Sequence, residues 1–144
     1  MIPGRVLAFD PGTTRIGVAV SDPLRIVASP LAVLPVSGFE EALRGLVEEY
    51  RPTTIVVGLP VGLSGDEGPA AAKAREFGAA VEAIAGAKVI YVDERFTTAT
   101  AESAMLEGGV KRRDRRQNVD KVAAAVILRH YLDRSEPLDR DPLA

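Results

Sequence analysis

The 144-residue sequence predicts one α/β domain built on a five-stranded mixed sheet in the order 3-2-1-4-5. Two observations carry this prediction. A pair of apolar runs separated by a tight turn opens the chain, which is typical of a hairpin. Two later runs rich in valine and isoleucine each follow a helical pattern, and a strand reached through a helix runs parallel to the strand before it. The sheet is therefore expected to combine an antiparallel meander with two parallel strands.

The opening hairpin carries an acid at its bend. The apolar run 6–9 ends at Asp10, Pro11 and Gly12 follow, and apolar residues resume with a period of two at Ile16, Val18 and Val20. Gly12 is expected to supply a positive φ for the turn. An acid in this position is either a residue that stabilises the turn or a carboxylate held by rigid backbone for metal or phosphate chemistry.

The next elements follow from local patterns. The run 26–36 contains Pro30 and Pro35, which confines it to an edge strand because proline donates no ladder hydrogen bond. Ser37 followed by Glu40 resembles a capping box and predicts a helix that ends at 51–52. The continuous apolar run 55–59 predicts a strand covered on both faces.

Further along, Pro69 marks the start of a second helix and Gly86 its end, and 88–92 predicts the last strand. A third helix is expected between 97 or 98 and 108. The last helix is expected to begin near 118 and to bury one face, and from Asp133 onward the periodicity is lost. We predict a domain over 1–133 and a flexible tail over 134–144. The predicted buried face comprises Val119, Val122, Ala123, Val126, Ile127 and His130.

Composition narrows the possible chemistry. The chain contains no cysteine, which excludes disulfides, thiolate nucleophiles and cysteine-based zinc sites. The sequence has no apolar run long enough to span a membrane and no signal-peptide pattern, so a cytoplasmic location and no membrane partner are expected. The net charge of −2 means that any contact with nucleic acid depends on a local basic patch.

Acids recur where the predicted topology brings strand ends together. Asp10 ends the first strand, and Asp93 and Glu94 follow the last one. Asp120, in the first turn of the last helix, can face the same edge of the sheet. Converging carboxylates need cations, and oxygen ligands suit Mg²⁺ or Mn²⁺, as in two-metal sites that hydrolyse phosphodiesters. Taken singly, Glu94 can instead pair with Arg95, and Asp120 can merely complement the helix dipole.

Five ordered blocks resemble the YqgF/RuvX family, small bacterial relatives of the Holliday junction resolvase RuvC with a ribonuclease-H-like fold. The resemblance implies that Asp10, Glu94 and Asp120 form an acidic triad for metal-dependent cleavage of nucleic acid. It links the chain to maturation of the 16S rRNA precursor and to resolution of branched DNA. The five blocks are FDPGTTRIGVA at 9–19, GLP at 58–60, EGP at 67–69, DERFTT at 93–98 and VDKVAAAVIL at 119–128.

Two positions depart from the family pattern. Thr14 stands where the family usually has lysine, and 61–64 replaces a polar loop that tends to contain asparagine. Neither departure touches the acidic triad. Both can change how the nucleic-acid backbone is held, since a lost lysine is a lost phosphate contact.

A basic segment precedes Asp120 and provides a candidate phosphate-binding surface. Arg15 and Arg95 are further candidates for the same role. The alternative interpretation is a solvated loop, which runs of charge usually form. His130 is expected to pack in the core, and Asp22 is expected to stabilise a turn before Pro23. The members of the basic segment are Lys111, Arg112, Arg113, Arg115 and Arg116.

The sequence thus predicts an endonuclease that uses two Mg²⁺ or Mn²⁺ ions, with nucleic acid as its partner. Cleavage of a junction by symmetric cuts would call for a homodimer. Two alternatives stay open at this point. One is a related domain that binds structured nucleic acid or a ribosome precursor without cutting it. The other is one lobe of an actin-like or Hsp70-like ATPase, whose phosphate loop resembles the segment that begins at Asp10.

Overall fold

The computed structural model describes residues 2–62, 65–94 and 112–139, with the side chains of the last helix described from 119 to 133. Five strands form one sheet in the order β3-β2-β1-β4-β5, so the predicted fold class and strand order are confirmed. The strands are β1 Val6–Pro11, β2 Arg15–Ser21, β3 Ala28–Pro35, β4 Thr54–Leu59 and β5 Lys88–Asp93.

Strand direction sets where the acids lie. β1 pairs antiparallel with β2, and β2 with β3, whereas β4 runs parallel to β1 and β5 runs parallel to β4. The carboxyl ends of β1, β4 and β5 therefore lie at one edge of the sheet. Asp10 belongs to this edge through β1, and Glu94 follows β5 directly.

Helices cover both faces of the sheet. They are α1 Phe39–Tyr50, α2 Pro69–Ala85 and α3 Arg112–Asp139. On one face, Leu43 of α1 and Val81 of α2 pack with Leu7 and Phe9 of β1. On the other face, α3 packs against the alternate residues of the same strands. The sheet is thus the middle layer of three, and the helix predicted between 97 and 108 lies outside the described residues.

Two local predictions are wrong, one about the start of α1 and one about the turn between β1 and β2. The N-cap of α1 is Gly38 in a left-handed conformation with φ of 78°, and no side chain caps the helix, so Ser37 and Glu40 do not form a capping box. The φ angle of Gly12 is not positive, so the turn does not use the left-handed conformation that glycine permits. Its small size is needed for another reason: its N–H donates to the carbonyl of Arg15 at 2.9 Å, and a Cβ would lie 2.7 Å from that oxygen.

The last helix differs from its prediction in both length and orientation. α3 begins at Arg112, so the basic segment from Arg112 onward is helical in its backbone rather than a preceding loop. His130 is exposed, and the prediction that it packs in the core is wrong. The helix sequence contains two overlapping apolar stripes, and the sheet packs against the stripe that was not predicted to be buried. The buried face comprises Ala123, Ala124, Ile127, Leu128, Tyr131 and Leu132.

The last helix extends past the predicted domain boundary. α3 continues to Asp139, beyond the predicted domain boundary at Asp133, and the assignment of 134–144 as a flexible tail stays a prediction.

Asp22 does stabilise a turn, since its carboxylate accepts hydrogen bonds from the N–H groups of Ile26 and Val27, both at 2.7 Å. Within the described ranges, none of the helices is both long and apolar enough to cross a bilayer.

Candidate active site

Asp10 lies between two glycines of neighbouring strands. The strand registers place Gly17 of β2 opposite Asp10, and they pair Phe9 with Val57, which aligns Gly58 of β4 with Asp10 on the other side. Side chains alternate between the faces of a strand, so Asp10 shares the face of Ala8 that α3 covers. Both neighbours of the carboxylate on this face therefore lack a side chain.

Gly58 makes room for Glu94 to reach Asp10. Glu94 follows β5, and its N–H donates to the carbonyl of Leu59 at 3.1 Å, which extends the ladder between β5 and β4. β4 separates the two acidic strands. A Cβ at Gly58 would lie 2.8 Å from the Cδ atom of Glu94 and 2.7 Å from Ile127, so only glycine leaves the path open. The side chains of Glu94 and Asp10 meet across β4 and share a hydrogen bond.

Gly17 has the same role for the third acid. A Cβ on Gly17 would collide with the main-chain carbonyl of Asp120, whose Cα would lie 3.2 Å away. The missing side chain lets the backbone of α3 rest directly on β2 at this point. This close approach sets the position of Asp120 relative to Asp10, and the charge of Asp120 is strong enough there to raise the pKa of Asp10.

Arg15 holds Asp120 in an ion pair. The Nε of Arg15 donates to Oδ2 of Asp120 at 2.6 Å, and the two side chains are 39% and 25% exposed. Arg15 was predicted to contact phosphate, and its partner in this structure is instead one of the predicted triad acids. The negative charge of Asp120 is thus neutralised by a cation. Asp10 and Glu94 have instead a hydrogen bond to each other.

The pKa values of the strand-end pair reflect its burial. Burial raises the pKa of Glu94 to about 9, and the hydrogen bond to Asp10 and the charges of Asp10 and Asp93 act in the same direction. Burial also raises the pKa of Asp10, although the hydrogen bond from Glu94 opposes this change. Both raised pKa values favour a state in which the two carboxyls share one proton. Asp93 lies one position earlier in β5, and its side chain alternates to the opposite face of the sheet.

The donor set fits a hard divalent cation only in part. Two half-buried carboxylates that contact each other offer oxygen ligands and a local demand for positive charge, both of which suit Mg²⁺ or Mn²⁺. In the described part of the chain, no three acidic or imidazole side chains are close enough to hold one ion together. Asp120, the third predicted ligand, is paired with Arg15 through Oδ2.

Some expected residues lie beyond what the structure describes, and others were missed. Arg95 and Lys111 are outside the described residues, and the side chains of Arg112, Arg113, Arg115 and Arg116 are outside them as well. Sequence analysis did not identify Gly17 and Gly58 as site residues. A glycine inside a strand pattern is the signal that was available, since it often marks a close approach of another chain segment.

The loop before α2 is fixed to the body of that helix. Arg75 donates from Nε and one Nη to the two carboxylate oxygens of Glu67, at 2.8 and 2.7 Å. The same guanidinium lies over the ring of Tyr91, 4.9 Å from its centroid. The segment that leads into α2 is therefore tied to the helix through Glu67.

Comparison with known families covers nearly the whole chain. The model of the RuvX family, described as Holliday junction resolvase, matches residues 4–134. A protein from Streptomyces coelicolor is 45% identical over 143 residues, which cover 96% of this chain and 86% of the relative. A Lactococcus lactis protein is 42% identical over 135 residues, with coverage of 90% and 94%. Both relatives carry the provisional name pre-16S rRNA nuclease.

Comparison with solved structures supports the fold described above. The RuvC protein of Thermus thermophilus, solved in complex with a Holliday junction substrate, matches with a TM-score of 0.55 at 20% identity, over 91% of this chain and 96% of that chain. This likeness concerns the fold alone. The family match and the identities to curated relatives settle the resemblance seen in the sequence: the chain belongs to the RuvX family.

Proposed function

We propose that this protein is a divalent-metal-dependent endonuclease that hydrolyses phosphodiester bonds of nucleic acid. The observation that supports this most is the pair of half-buried carboxylates, Asp10 and Glu94, that meets across Gly58 at the carboxyl edge of the sheet. Membership of the RuvX family supports the same function. The family description and the names of the relatives give two substrates to test, a Holliday junction and the precursor of 16S rRNA.

Each acid has a distinct role in this proposal. Asp10 is the central ligand because it lies between the other two acids on a rigid core strand. Glu94 and Asp120 complete the ligand set from the two sides that Gly58 and Gly17 leave open. Glu94 must give up its proton to act as a ligand, and Asp120 must exchange Arg15 for the cation.

The bound ions, two Mg²⁺ or Mn²⁺, would supply a nucleophilic water and stabilise the charge on the leaving oxygen. The chain's own residues do the rest. Rigid strand ends keep Asp10 and Glu94 in place at the edge of the sheet. Arg15, when it leaves Asp120, becomes a cation at the edge of the site that can bind a phosphate of the substrate.

Further phosphate contacts are assigned to Arg95 and to the basic segment around 111–116. Their sequence position beside Glu94 and Asp120 supports this assignment. Binding through several such cations predicts an affinity that falls steeply with salt concentration. A homodimer for symmetric cutting of a junction is part of the proposal only for that substrate.

The decisive experiment compares cleavage of a four-way DNA junction and of a 16S precursor leader by the wild type and by Asp10→Asn. Each reaction is run with Mg²⁺, Mn²⁺ or EDTA. Asp133→Asn is a matched control, because Asp133 is an exposed acid on α3 paired with Arg129 and remote from the strand ends. We expect the wild type and Asp133→Asn to cut at least one substrate with metal, and Asp10→Asn to cut neither.

One observation favours a second candidate, a protein that binds structured nucleic acid without cutting it. The ion pair between Arg15 and Asp120 leaves only two acids in contact with each other. On this alternative, the wild type binds both substrates and cuts neither under any metal condition. The nuclease proposal is equally wrong if Asp10→Asn cuts as fast as the wild type.

A further inference from the structure

A cleft beside the strand-end acids has no part in the proposal so far. It encloses about 400 Å³ between the β1–β2 hairpin and α2, and Asp10 and Glu94 form one of its walls. Pockets that hold small ligands measure roughly 300–1,000 Å³. The cleft is therefore large enough for one nucleotide unit but not for a stretch of duplex.

The floor of the cleft is apolar and contains an aromatic ring. Ile16 and Ala74 contribute aliphatic surface, and Phe77 of α2 lines the space while half-buried. The ring of Phe77 is held by two others, with centroids 5.6 Å from that of Phe9 and 5.0 Å from that of Phe39. A ring fixed in this way has the character of a platform for a planar ligand, and unpaired nucleobases stack on such rings.

The lining of the cleft also includes a cation. Lys73 of α2 lines the cleft and is exposed. An ammonium group can bind a backbone phosphate directly, whereas the acids require a cation before a phosphate can approach them. The cleft thus combines an apolar surface for a base with the strand-end acids and with a cation for a second phosphate.

We propose that this cleft is a nucleotide subsite: it takes the nucleobase of an unpaired nucleotide adjacent to the phosphodiester that is cut, and Lys73 binds the phosphate on the far side of that nucleotide. The inference rests on the proposed function for the identity of the reacting phosphate. It adds a requirement that the substrate be unpaired at this position, because a base inside a duplex must unstack before it can enter a pocket.

The test measures binding rather than cleavage. The probes are fluorescein-labelled single-stranded RNA and DNA oligonucleotides of about ten nucleotides, in buffer that contains Ca²⁺ in place of Mg²⁺, each with an intact base or one abasic position at successive sites. We expect one position at which removing the base weakens binding by the wild type about five- to tenfold. A larger effect in RNA would indicate a contact to the 2′-hydroxyl, and equal effects would assign the subsite to the base alone.

Two variants and two controls locate the effect in the cleft. Ala70→Phe fills the mouth of the cleft from an exposed helix position, and Ala79→Phe adds the same ring to an exposed position of α2 that does not line it. Ala70→Phe is expected to weaken binding of the intact oligonucleotide to the level of the abasic one and to remove the difference between the two. Ala79→Phe should bind as the wild type does.

Lys73→Gln tests the phosphate contact independently, so the proposal stays testable if Ala70→Phe does not fold. We expect it to weaken binding to every oligonucleotide by about the same factor and to reduce the salt slope by about one. Lys88→Gln, at the exposed start of β5, is the charge-matched control and should change neither.

The outcomes separate the subsite from the nuclease proposal. The subsite is overturned if no abasic position matters, or if a folded Ala70→Phe binds as the wild type does. If base-dependent binding is found and the protein cuts no substrate, the subsite stands and the nuclease proposal fails. If the protein cuts its substrates and binding is independent of the base at every position, only the subsite fails.

Discussion

Two pairs of charged groups lie within the same site and are stabilised in opposite ways. Asp10 and Glu94 are both acids, lie half-buried at the ends of core strands, and have pKa values that desolvation and mutual repulsion raise, which favours a shared proton. Asp120 is partly exposed on a helix, and its charge is neutralised by Arg15 at 2.6 Å. The strand-end pair therefore destabilises the ionised protein, whereas the helix pair does not.

This difference indicates how the site is assembled. Strand ends cannot move without disturbing the sheet, so the repulsion between Asp10 and Glu94 is relieved only by a proton or by a cation. Asp120 already has a partner and gains less from a metal ion. The strand-end pair is thus the part of the site that demands a cation, and the helix acid is the part that must be released to join it.

The largest expected effect is that of Glu94→Gln on cleavage. A metal ion contributes several kcal/mol of transition-state stabilisation, so loss of one ligand should lower kcat by on the order of a thousandfold. In the absence of metal, the same change should raise the free energy of unfolding at pH 8, because a glutamine amide can donate to Asp10 without the cost of taking up a proton on folding. Cleavage kinetics and chemical denaturation measure the two effects.

The pH dependence of this stability difference has a defined sign. The folded-state pKa of Glu94, about 9, lies above the ordinary value of 4.5. Its contribution to stability is fully present below pH 4.5 and is lost as the pH rises toward 9. The advantage of Glu94→Gln over the wild type should therefore grow from pH 5 to pH 8. An advantage that is constant or that shrinks over this range would contradict the burial of a protonated Glu94.

A steric test of the site comes next in size. Gly17→Ala should destabilise the protein by about 2–3 kcal/mol, because its Cβ collides with the carbonyl of Asp120. Gly45→Ala is the matched control: no atom lies within 4 Å of the new Cβ, and alanine in an exposed helix position should stabilise by about 0.5–1 kcal/mol. Urea denaturation of both variants measures the difference. Equal effects would mean that α3 does not rest on β2 at this glycine.

Metal binding should stabilise the wild type more at high pH than at low pH. At a Mn²⁺ concentration roughly a hundredfold above Kd, the stabilisation should be about 2–3 kcal/mol. Because the ion displaces the proton of Glu94, each pH unit below the pKa should weaken binding by up to about tenfold. Thermal melting with and without Mn²⁺ at pH 6 and pH 8.5 tests this, and a shift in Tm that is larger at pH 6 would contradict it.

The smallest effect is expected for the stability of Asp120→Asn. Partly exposed ion pairs contribute about 0.2–1 kcal/mol, and removal of this charge also relieves Asp10. Asp133→Asn, which breaks an exposed pair with Arg129 on the same helix, should cost equally little. The two variants should nevertheless differ in cleavage, which only Asp120→Asn abolishes. A loss of several kcal/mol for Asp120→Asn would show that Arg15 and Asp120 hold the fold together.

The fold was largely predictable because its signals are local and repeated. Continuous apolar runs gave β4 and β5, prolines gave the edge strand β3, and Pro69 and Gly86 marked both ends of α2. The orientation of α3 was not predictable, because a helix with two apolar stripes can bury either one. The close approach of its backbone at Gly17 selects the stripe that exposes His130.

The sequence predicts that the strand-end acids come together but not the contacts around them, and the role of these acids as metal ligands stays a prediction. Topology brings the ends of β1 and β5 to one edge, which supports the joint assignment of Asp10 and Glu94. The sequence does not reveal that Arg15 turns to Asp120 or that Lys73 lines a cleft, since both depend on side-chain positions across the fold. Gly17 and Gly58 lack a side chain, which leaves room for Asp120 and Glu94. This role is visible only when the neighbouring residues are positioned in the fold.

The measurement that tests the central claim most directly is Mn²⁺ binding followed by calorimetry at pH 8. We expect the wild type and Asp133→Asn to bind Mn²⁺ alike, Asp10→Asn to lose binding, and Asp120→Asn to lose less of it than Asp10→Asn. If Asp10→Asn binds Mn²⁺ as tightly as the wild type, the strand-end acids do not form the metal site.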